Sequence, residues 1–458
     1  MKKLFGNKEF YKKVLLIAIP IMVQNGITNF VGMLDNIMIG QMGTDQMSGV
    51  AITNQLIFVF NVCIFGGISG AGIFGAQFFG KGDFEGVRNA FRFKIYASTL
   101  ICGISFFIFG TCSKPLISLY LHKANEIGSI KDTLFYGQQY LFIMLVGLIP
   151  FVISQIYAST LRECGQTIVP MLAGFVAVIV NLIFNYILIF GNFGAPKLGA
   201  SGAAIATVIA RFAETAIIVA WTHKNPEKNK FIIGIYRTMK IPVSFVKNIL
   251  GKGVSLMVNE FFWSVGMATI TQCYAFRGLD VVAALNITST LNNVFNIVFI
   301  ALGGAVSIMV GQLLGAGKLQ EARETDTKLI AFSVCCCIVV GTVMALFSNI
   351  FPSIYKTEDI VKEYASKFIL ITAVALPLQA FTHSCYFTLR SGGKTFITLL
   401  FDSVYTWVFV IPIVFVLTHF SGLSIIWVYF IIQFSEIVKC LIGFFMVKKG
   451  SWLQNIVT

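Results

Sequence analysis

The chain has 458 residues, 57% hydrophobic and 12% charged, with a mean hydropathy of +0.82. Soluble domains carry about 25% charged residues, so this composition excludes a soluble globular protein and assigns the 45 phenylalanines to lipid-facing and helix-facing surfaces. The net charge of +14 does not mark a nucleic-acid binder, because the basic residues sit between apolar runs rather than on one polar face.

A membrane-crossing helix needs about 20 apolar residues. Runs of that length are predicted at 14–39, 48–79, 90–113, 134–159, 168–191, 199–222, 249–276, 284–314, 327–352, 364–388, 395–418 and 421–447. The expected fold is therefore an all-α integral membrane protein with twelve transmembrane helices. The first run is read as a retained span and not a cleaved signal. It is too long for a signal core and carries Gln24, Asn25, Asn29 and Asp35.

Charge then orients the spans. Counted on alternate sides of the twelve runs, 25 Lys and Arg fall on the side of the N-terminus and 8 on the other, and Arg211 lies inside a run. Positive charge is retained in the cytoplasm, so both termini are expected there. An odd number of spans would erase the bias. The ten cysteines lie at apolar positions, Cys335-Cys336-Cys337 among them, with no CxxC pair or Cys/His metal spacing. They read as small packing residues.

The sequence repeats. At an offset of 235, residues 22–90 align with 257–325 without a gap. Ile52-Thr53, Leu56 and Val59-Phe60-Asn61 match Ile287-Thr288, Leu291 and Val294-Phe295-Asn296. Gln77, Gly80, Gly82 and Arg88 match Gln312, Gly315, Gly317 and Arg323. Further on, Thr160-Leu-Arg162 with Gly165 and Thr167 matches Thr388-Leu-Arg390 with Gly393 and Thr395 at an offset of 228. Phe212 and Glu214 match Phe434 and Glu436. Low complexity does not reproduce Gln, Asn, Arg and Gly at fixed offsets. Six spans per half is an even number, so the halves are parallel repeats. The expected organisation is an N-terminal lobe over 1–222, a basic linker over 223–248 and a C-terminal lobe over 249–458.

Ionisable residues inside spans cost at least ~2.5 kcal/mol on insertion scales and are kept where they face protein or water. In span 1, Gln24, Thr28, Gly32 and Asp35 share a helical face, with Asn25 and Asn29 beside it. A polar stripe ending in an acid suits the wall of an aqueous cavity. Pro20, in the same helix, removes a backbone hydrogen bond and is a candidate hinge. In span 7, Glu260 stands beside Asn259 with no basic residue in its own span. By the repeat its partner is Asn25. Asn181 and Asn185, four apart in span 5, suit ligand binding or helix–helix hydrogen bonding. Asn61 and Asn296 read as such helix glue. Asp402 in span 11 is a further candidate acid, and His383 in span 10 a candidate proton acceptor with Gln379 one turn before it. Glu214 and Glu436 read as structural, through local ion pairs with Arg211 and Lys439. The stretch Gly66–Gly75 lacks the Lys-Ser/Thr of a phosphate loop and reads as close helix packing. No catalytic set or nucleotide motif is present, so no enzyme and no ATP-driven pump is expected.

Together these residues resemble a family. The span-1 acid in Leu34-Asp35-Asn36-Ile37-Met38-Ile39-Gly40, the Gln77-Phe-Phe-Gly80-Lys-Gly82 loop, the Leu161-Arg162…Gly165 loop and their copies at Gln312 and Arg390 are similar to the MATE (multidrug and toxic compound extrusion) family of the MOP flippase superfamily. The likeness covers essentially the whole chain. It implies efflux of cationic amphipathic compounds in exchange for Na⁺ or H⁺, through a central cavity between two lobes. It implies small-molecule cationic substrates, no cofactor beyond the coupling ion, a monomer, and the bacterial inner membrane. The family's span-1 acid falls on Asp35, its span-1 proline on Pro20, and the span-7 glutamate of the Na⁺-coupled NorM branch on Glu260, a possible Na⁺ ligand. That branch has asparagines in span 5, here Asn185. The chain departs in span 10, where the branch's acidic residue falls on Gln379. A flippase for lipid-linked precursors is the alternative within the superfamily. It calls for many basic residues inside the spans, where Arg211 alone falls.

Overall fold

The computed structural model describes residues 4–119, 130–355 and 357–457, whose regular structure is all helical, without a β-strand. Lys2, Lys3, Lys123 and Lys356, which enter the charge count, lie outside the described residues. The helices are α1 Lys8–Gly40, α2 Thr44–Lys81, α3 Phe84–Ser118, α4 Ile130–Glu163, α5 Ile168–Phe190, α6 Ala200–Lys224, α7 Val243–Ala275, α8 Leu279–Gly315, α9 Leu319–Leu346, α10 Asp359–Ser391, α11 Thr395–Phe420 and α12 Ile425–Lys449. Most are longer than the apolar runs because polar turns at each end continue the helical hydrogen bonding.

Eleven of them are long and apolar enough to cross a membrane. The exception is α7, at 33 residues as long as its neighbours. Asn259 and Glu260 lower the hydropathy of its central stretch, so the helix that carries Glu260 falls short of that mark. Large apolar side chains stand on the outer faces of the helices, with Phe107 and Val408 each 71% exposed. In water this would be a liability; in hydrocarbon it is the solvated state.

The repeat seen in the sequence returns as repeated element boundaries. Shifting α1 by 235 residues reproduces both ends of α7, and the same shift carries the starts of α2 and α3 onto those of α8 and α9. The loop glycines of the two motifs share a conformation. Gly82 and Gly317 have φ of 79° and 73°, and Gly165 and Gly393 have 79° and 72°. A side chain is disfavoured in this left-handed region, so each motif needs glycine to reverse the chain after its helix.

The chain forms two compact units. One contains 23–75 and 84–247. In it α4 packs on α3 and α6, and α5 packs on α6. Ile39, Val50, Tyr140, Met144 and Ile189 form an apolar cluster there. The other unit contains 4–22, 76–83 and 248–457. There α8, α9 and α10 pack on one another and α10 on α12. The first turns of α1 join its largest cluster, where Val14, Ala18 and Ile21 meet Ala305, Val306 and Met309. Thus α1 changes unit between Met22 and Val23, two residues after Pro20.

Within this second unit the ends of α2 and α8 cross almost in backbone contact. A Cβ on Gly80 would fall 1.9 Å from the Gln312 carbonyl oxygen, and a Cβ on Gly315 would fall 1.8 Å from that of Gln77. The paired motif is thereby explained sterically. Gln77 itself is buried. It donates to the Ser391 carbonyl at 2.9 Å and accepts from the Ile456 amide at 2.9 Å. Trp452 is fully buried in the same region. α11 is irregular: residues 400–404 and 406–410 are π-helical ahead of Pro412. Such widened turns re-aim side chains, here Asp402.

Candidate functional site

Each unit holds an acid-centred cluster built from sequence-predicted residues, and these two clusters differ in charge. In the unit of 23–75 and 84–247, Asp35 of α1 accepts a hydrogen bond from Asn185 Nδ2 of α5 at 2.5 Å. The same amide reaches Asn181 Oδ1 at 3.0 Å, and Asn181 Nδ2 reaches Thr207 Oγ1 of α6 at 3.3 Å. Asn181 and Asn185 are buried, and Asn185 Oδ1 accepts no hydrogen bond. Among the described residues no Lys, Arg or His lies within 4.0 Å of the Asp35 carboxylate. Asn185 bonds the acid directly and Asn181 bonds Asn185 and Thr207, so the i, i+4 asparagines link α1, α5 and α6 by hydrogen bonds. Along the same face of α1, Gln24 lies against Gly174 of α5, whose Cβ would sit 3.7 Å from Gln24 Cγ, and nothing comes within 4 Å of a Cβ on Gly32. The face therefore stays open along its middle.

In the other unit the centre is Asn259 of α7. Its Nδ2 donates to Asp402 Oδ2 of α11 at 3.2 Å and to the Tyr386 hydroxyl of α10 at 3.4 Å. Ser403 donates to its side-chain and main-chain oxygens, both at 2.8 Å. Asp402 Oδ1 pairs with Lys439 Nζ of α12 at 2.8 Å. Glu260, next to Asn259, lies within hydrogen-bonding reach of the Tyr386 hydroxyl and feels the charges of Arg390 and Asp402. Two acids thus stand among two cations, Arg390 and Lys439. No basic residue of its own helix neutralises Glu260, as expected; Arg390 of α10 acts on it electrostatically without closing to ion-pair distance. Of the acids in these two clusters, Asp35 is the one with no cation within 4.0 Å among the described residues.

Gln379 and His383 are not hydrogen-bonded to this cluster. Gln379 donates to Gln433 of α12 at 3.0 Å. His383 packs edge-on against Phe299 and Phe387, with centroids 5.0 and 4.9 Å away, and its Nε2 is buried without a partner.

One expectation is corrected and another is extended. Arg211 and Glu214 do not close to ion-pair distance; Arg211 donates to the Gly147 carbonyl at 3.2 Å and covers the Phe151 ring. The expected pair of Lys439 with Glu436 is present at 3.9 Å, and Lys439 also makes a closer cross-helix pair with Asp402 of α11 at 2.8 Å. At Asn61 and Asn296, read as helix glue, the Oδ1 atoms are buried and accept no hydrogen bond among the described residues.

The basic residues inside the helices are also more than Arg211. Lys94 is fully buried and bonds both oxygens of Glu163, at 2.6 and 2.8 Å, and the hydroxyls of Ser159 and Thr160. The glycine-rich stretch of α2 makes room for this pair: Cβ atoms on Gly72 and Gly75 would fall 2.8 and 2.2 Å from the Glu163 oxygens. Lys94 and Lys439 each lie near the end of an apolar run, where a count of loop charges absorbs them. Only their partners reveal them as interior. Asp326 of α9 is fully buried too, with the Thr388 hydroxyl on one oxygen at 2.5 Å. Among the described residues no three His, Cys, Asp or Glu gather as a metal site.

Comparison with known proteins agrees with this architecture. A family model described as MatE matches residues 20–187 and 255–416, one segment in each repeat. The chain is 24% identical over 455 residues to the probable multidrug resistance protein NorM of Thermotoga maritima, covering 98% of this chain and 94% of that one. It is 23% identical to the probable multidrug resistance protein YoeA of Bacillus subtilis, covering 95% and 93%. Among solved structures, a variant of the Vibrio cholerae MATE transporter VcmN superposes with a TM-score of 0.86 at 17% identity, over 99% of this chain and 100% of that one. A MATE crystal structure in a bent conformation gives 0.86 at 17%, over 99% and 97%. The chain belongs to the MatE family, the one its paired loop motifs resemble.

Proposed function

We propose that this chain is a secondary antiporter, not an enzyme, which exports cationic amphipathic compounds in exchange for Na⁺ or H⁺ by alternating access. Family membership and the names of its relatives support the drug-efflux part. The observation that carries the coupling part is Asp35, an acid inside a span whose partner is the Asn185 amide and not a cation. An amide steadies a carboxylate without cancelling its charge. The site therefore keeps its attraction for a proton, a Na⁺ or a substrate cation.

Competition for that carboxylate couples the two fluxes, and linkage makes the coupling reciprocal. One charge moved through 100 mV is worth about 2.3 kcal/mol, more than the ~1.4 kcal/mol of a tenfold gradient. Asn181 and Asn185 position Asp35, and Gln24 lies on the same face for a substrate's polar groups. Glu260, with Asn259 and Asp402, forms a second, charge-compensated centre that responds when a cation displaces Arg390 or Lys439. Pro20 is the hinge of α1. The protein acts as a monomer in a bacterial inner membrane with both termini in the cytoplasm. No observation favours the lipid-linked-precursor flippase.

The test is efflux of a fluorescent cation from proteoliposomes under separately imposed Na⁺ and H⁺ gradients. One gradient should drive transport, and Asp35→Asn should abolish the driven part while leaving binding measurable. Glu260→Gln should weaken coupling less. Undiminished driven efflux in Asp35→Asn refutes the mechanism.

A further inference from the structure

The unit of 23–75 and 84–247 contains a cavity of about 890 Å³ between α3, α4 and α6, remote in sequence from the Asp35 cluster. Ile95, Phe106, Ile149, Val152, Phe212 and Val219 are among its apolar walls, and Tyr157 and Tyr236 stand at one end. On α3 it runs from Ile95 to Phe106. At about 1.5 Å per residue that is roughly 16 Å, close to one leaflet of a hydrocarbon core about 30 Å thick.

The two ends of the cavity differ. Phe106, Ile149 and Phe212 lie near the middle of their helices. At the other end Tyr157 and Tyr236 share a hydrogen bond at 2.5 Å, and Tyr157 meets His223 Nε2 at 3.0 Å. Tyr236 and His223 belong to the basic linker and the turn leading into it. Beside them in the chain are Lys224, Arg237 and Lys240, all exposed. The linker is held in place from α3: Arg88 donates to the Ile233 carbonyl at 3.0 Å, Arg92 to Ile235 at 3.0 Å, and the Tyr96 hydroxyl to Met239 at 2.9 Å. Arg88 and Arg92 also pair with Glu85. Lys224, Arg237 and Lys240 make no ion pair among the described residues.

We infer that this cavity is a structural lipid site, taking one acyl chain of an anionic phospholipid of the leaflet that faces the basic linker, with the headgroup phosphate held by Lys224, Arg237 and Lys240. The length suits a chain of that leaflet. The tyrosine pair sits where amphipathic rings sit at a membrane interface. The charge at that end selects an anionic headgroup. A lipid there ties the linker to α3, α4 and α6 of the same unit.

Gly103 supplies a clean test. It lines the cavity, and a Cβ there meets nothing within 4 Å. Gly103→Trp fills the space, and Gly103→Ala is the folding control. Each protein is reconstituted in nanodiscs containing equal phosphatidylglycerol and phosphatidylcholine and extracted in mild detergent. The retained lipid is then identified by native mass spectrometry. The wild type and Gly103→Ala should each retain one phosphatidylglycerol, and Gly103→Trp none. Arg237→Gln with Lys240→Gln should keep a lipid but lose about thirtyfold in the preference for phosphatidylglycerol. Equal retention by Gly103→Trp overturns the site. Retention of both lipids alike by the wild type overturns the headgroup assignment. Failure to retain lipid while a hydrophobic fluorescent drug binds, in a manner lost in Gly103→Trp, replaces the lipid by a small-molecule occupant and overturns the inference.

Discussion

Removing Glu163 should destabilise the protein more than any loss of transport function would explain. Lys94 is fully buried, and its ammonium lies 2.6 Å from Glu163. In Glu163→Ala the charge remains, and its neighbours are the Ser159 and Thr160 hydroxyls at 3.1 and 2.9 Å. Breaking a buried pair from one side costs about 3–5 kcal/mol. The two hydroxyls hold the loss near the lower end, at about 3 kcal/mol. Replacing both members, as in Lys94→Met with Glu163→Met, removes the charge and its need for a partner. That variant should return to within about 1 kcal/mol of wild type. Membrane proteins often unfold irreversibly, so the assay is the apparent midpoint of thermal aggregation in detergent at one fixed scan rate. At about 2–4 °C per kcal/mol for a domain of this size, Glu163→Ala should fall by roughly 6–12 °C, and the double variant should recover most of it. Single shifts that simply add in the double variant would show that the pair is not coupled and refute the reasoning.

The same pair predicts a reversal of glycine's usual effect. Gly→Ala inside a helix ordinarily gains about 1 kcal/mol; Gly103→Ala should do so, whereas Gly75→Ala places a Cβ 2.2 Å from the Glu163 carboxylate and should lower the midpoint in the same assay. Gly80→Ala meets the Gln312 backbone at 1.9 Å, which no rotamer relieves, so it should leave little monodisperse protein on size exclusion. Asn259→Ala leaves Asp402 Oδ2 and the Tyr386 hydroxyl without the amide donor; a loss of about 1–3 kcal/mol is expected, read as a lower midpoint with family-typical helicity by circular dichroism. Trp452→Ala opens a cavity at a fully buried site and should cost about 3–5 kcal/mol, seen as faster cleavage of the C-terminal segment by protease.

Much of this molecule follows from its one-dimensional pattern. Twelve helices, their repeat and the glycine turns were legible because each rests on local physics. Apolar length, Lys and Arg placement and a residue without a side chain act within a turn or two of the chain. Asp35, Asn181 and Asn185 were legible as candidates because a polar group in an apolar run stands out. Their mutual contact was not, since 150 residues separate Asp35 from Asn185. The electrostatics were decided in three dimensions. Charges on a sequence have no partners until helices pack, and the pairing of Lys439 with Asp402 and of Lys94 with Glu163 depends on which faces meet. Glu260 reads in sequence as an acid with no cation in its own helix, and folding brings Arg390 toward it. Asp35 reads in sequence as the acid that ends a polar stripe, and folding gives it an amide partner rather than a cation. The repeat therefore determined that the halves share a fold, and tertiary packing decided that only one of the two acid clusters is compensated by charge.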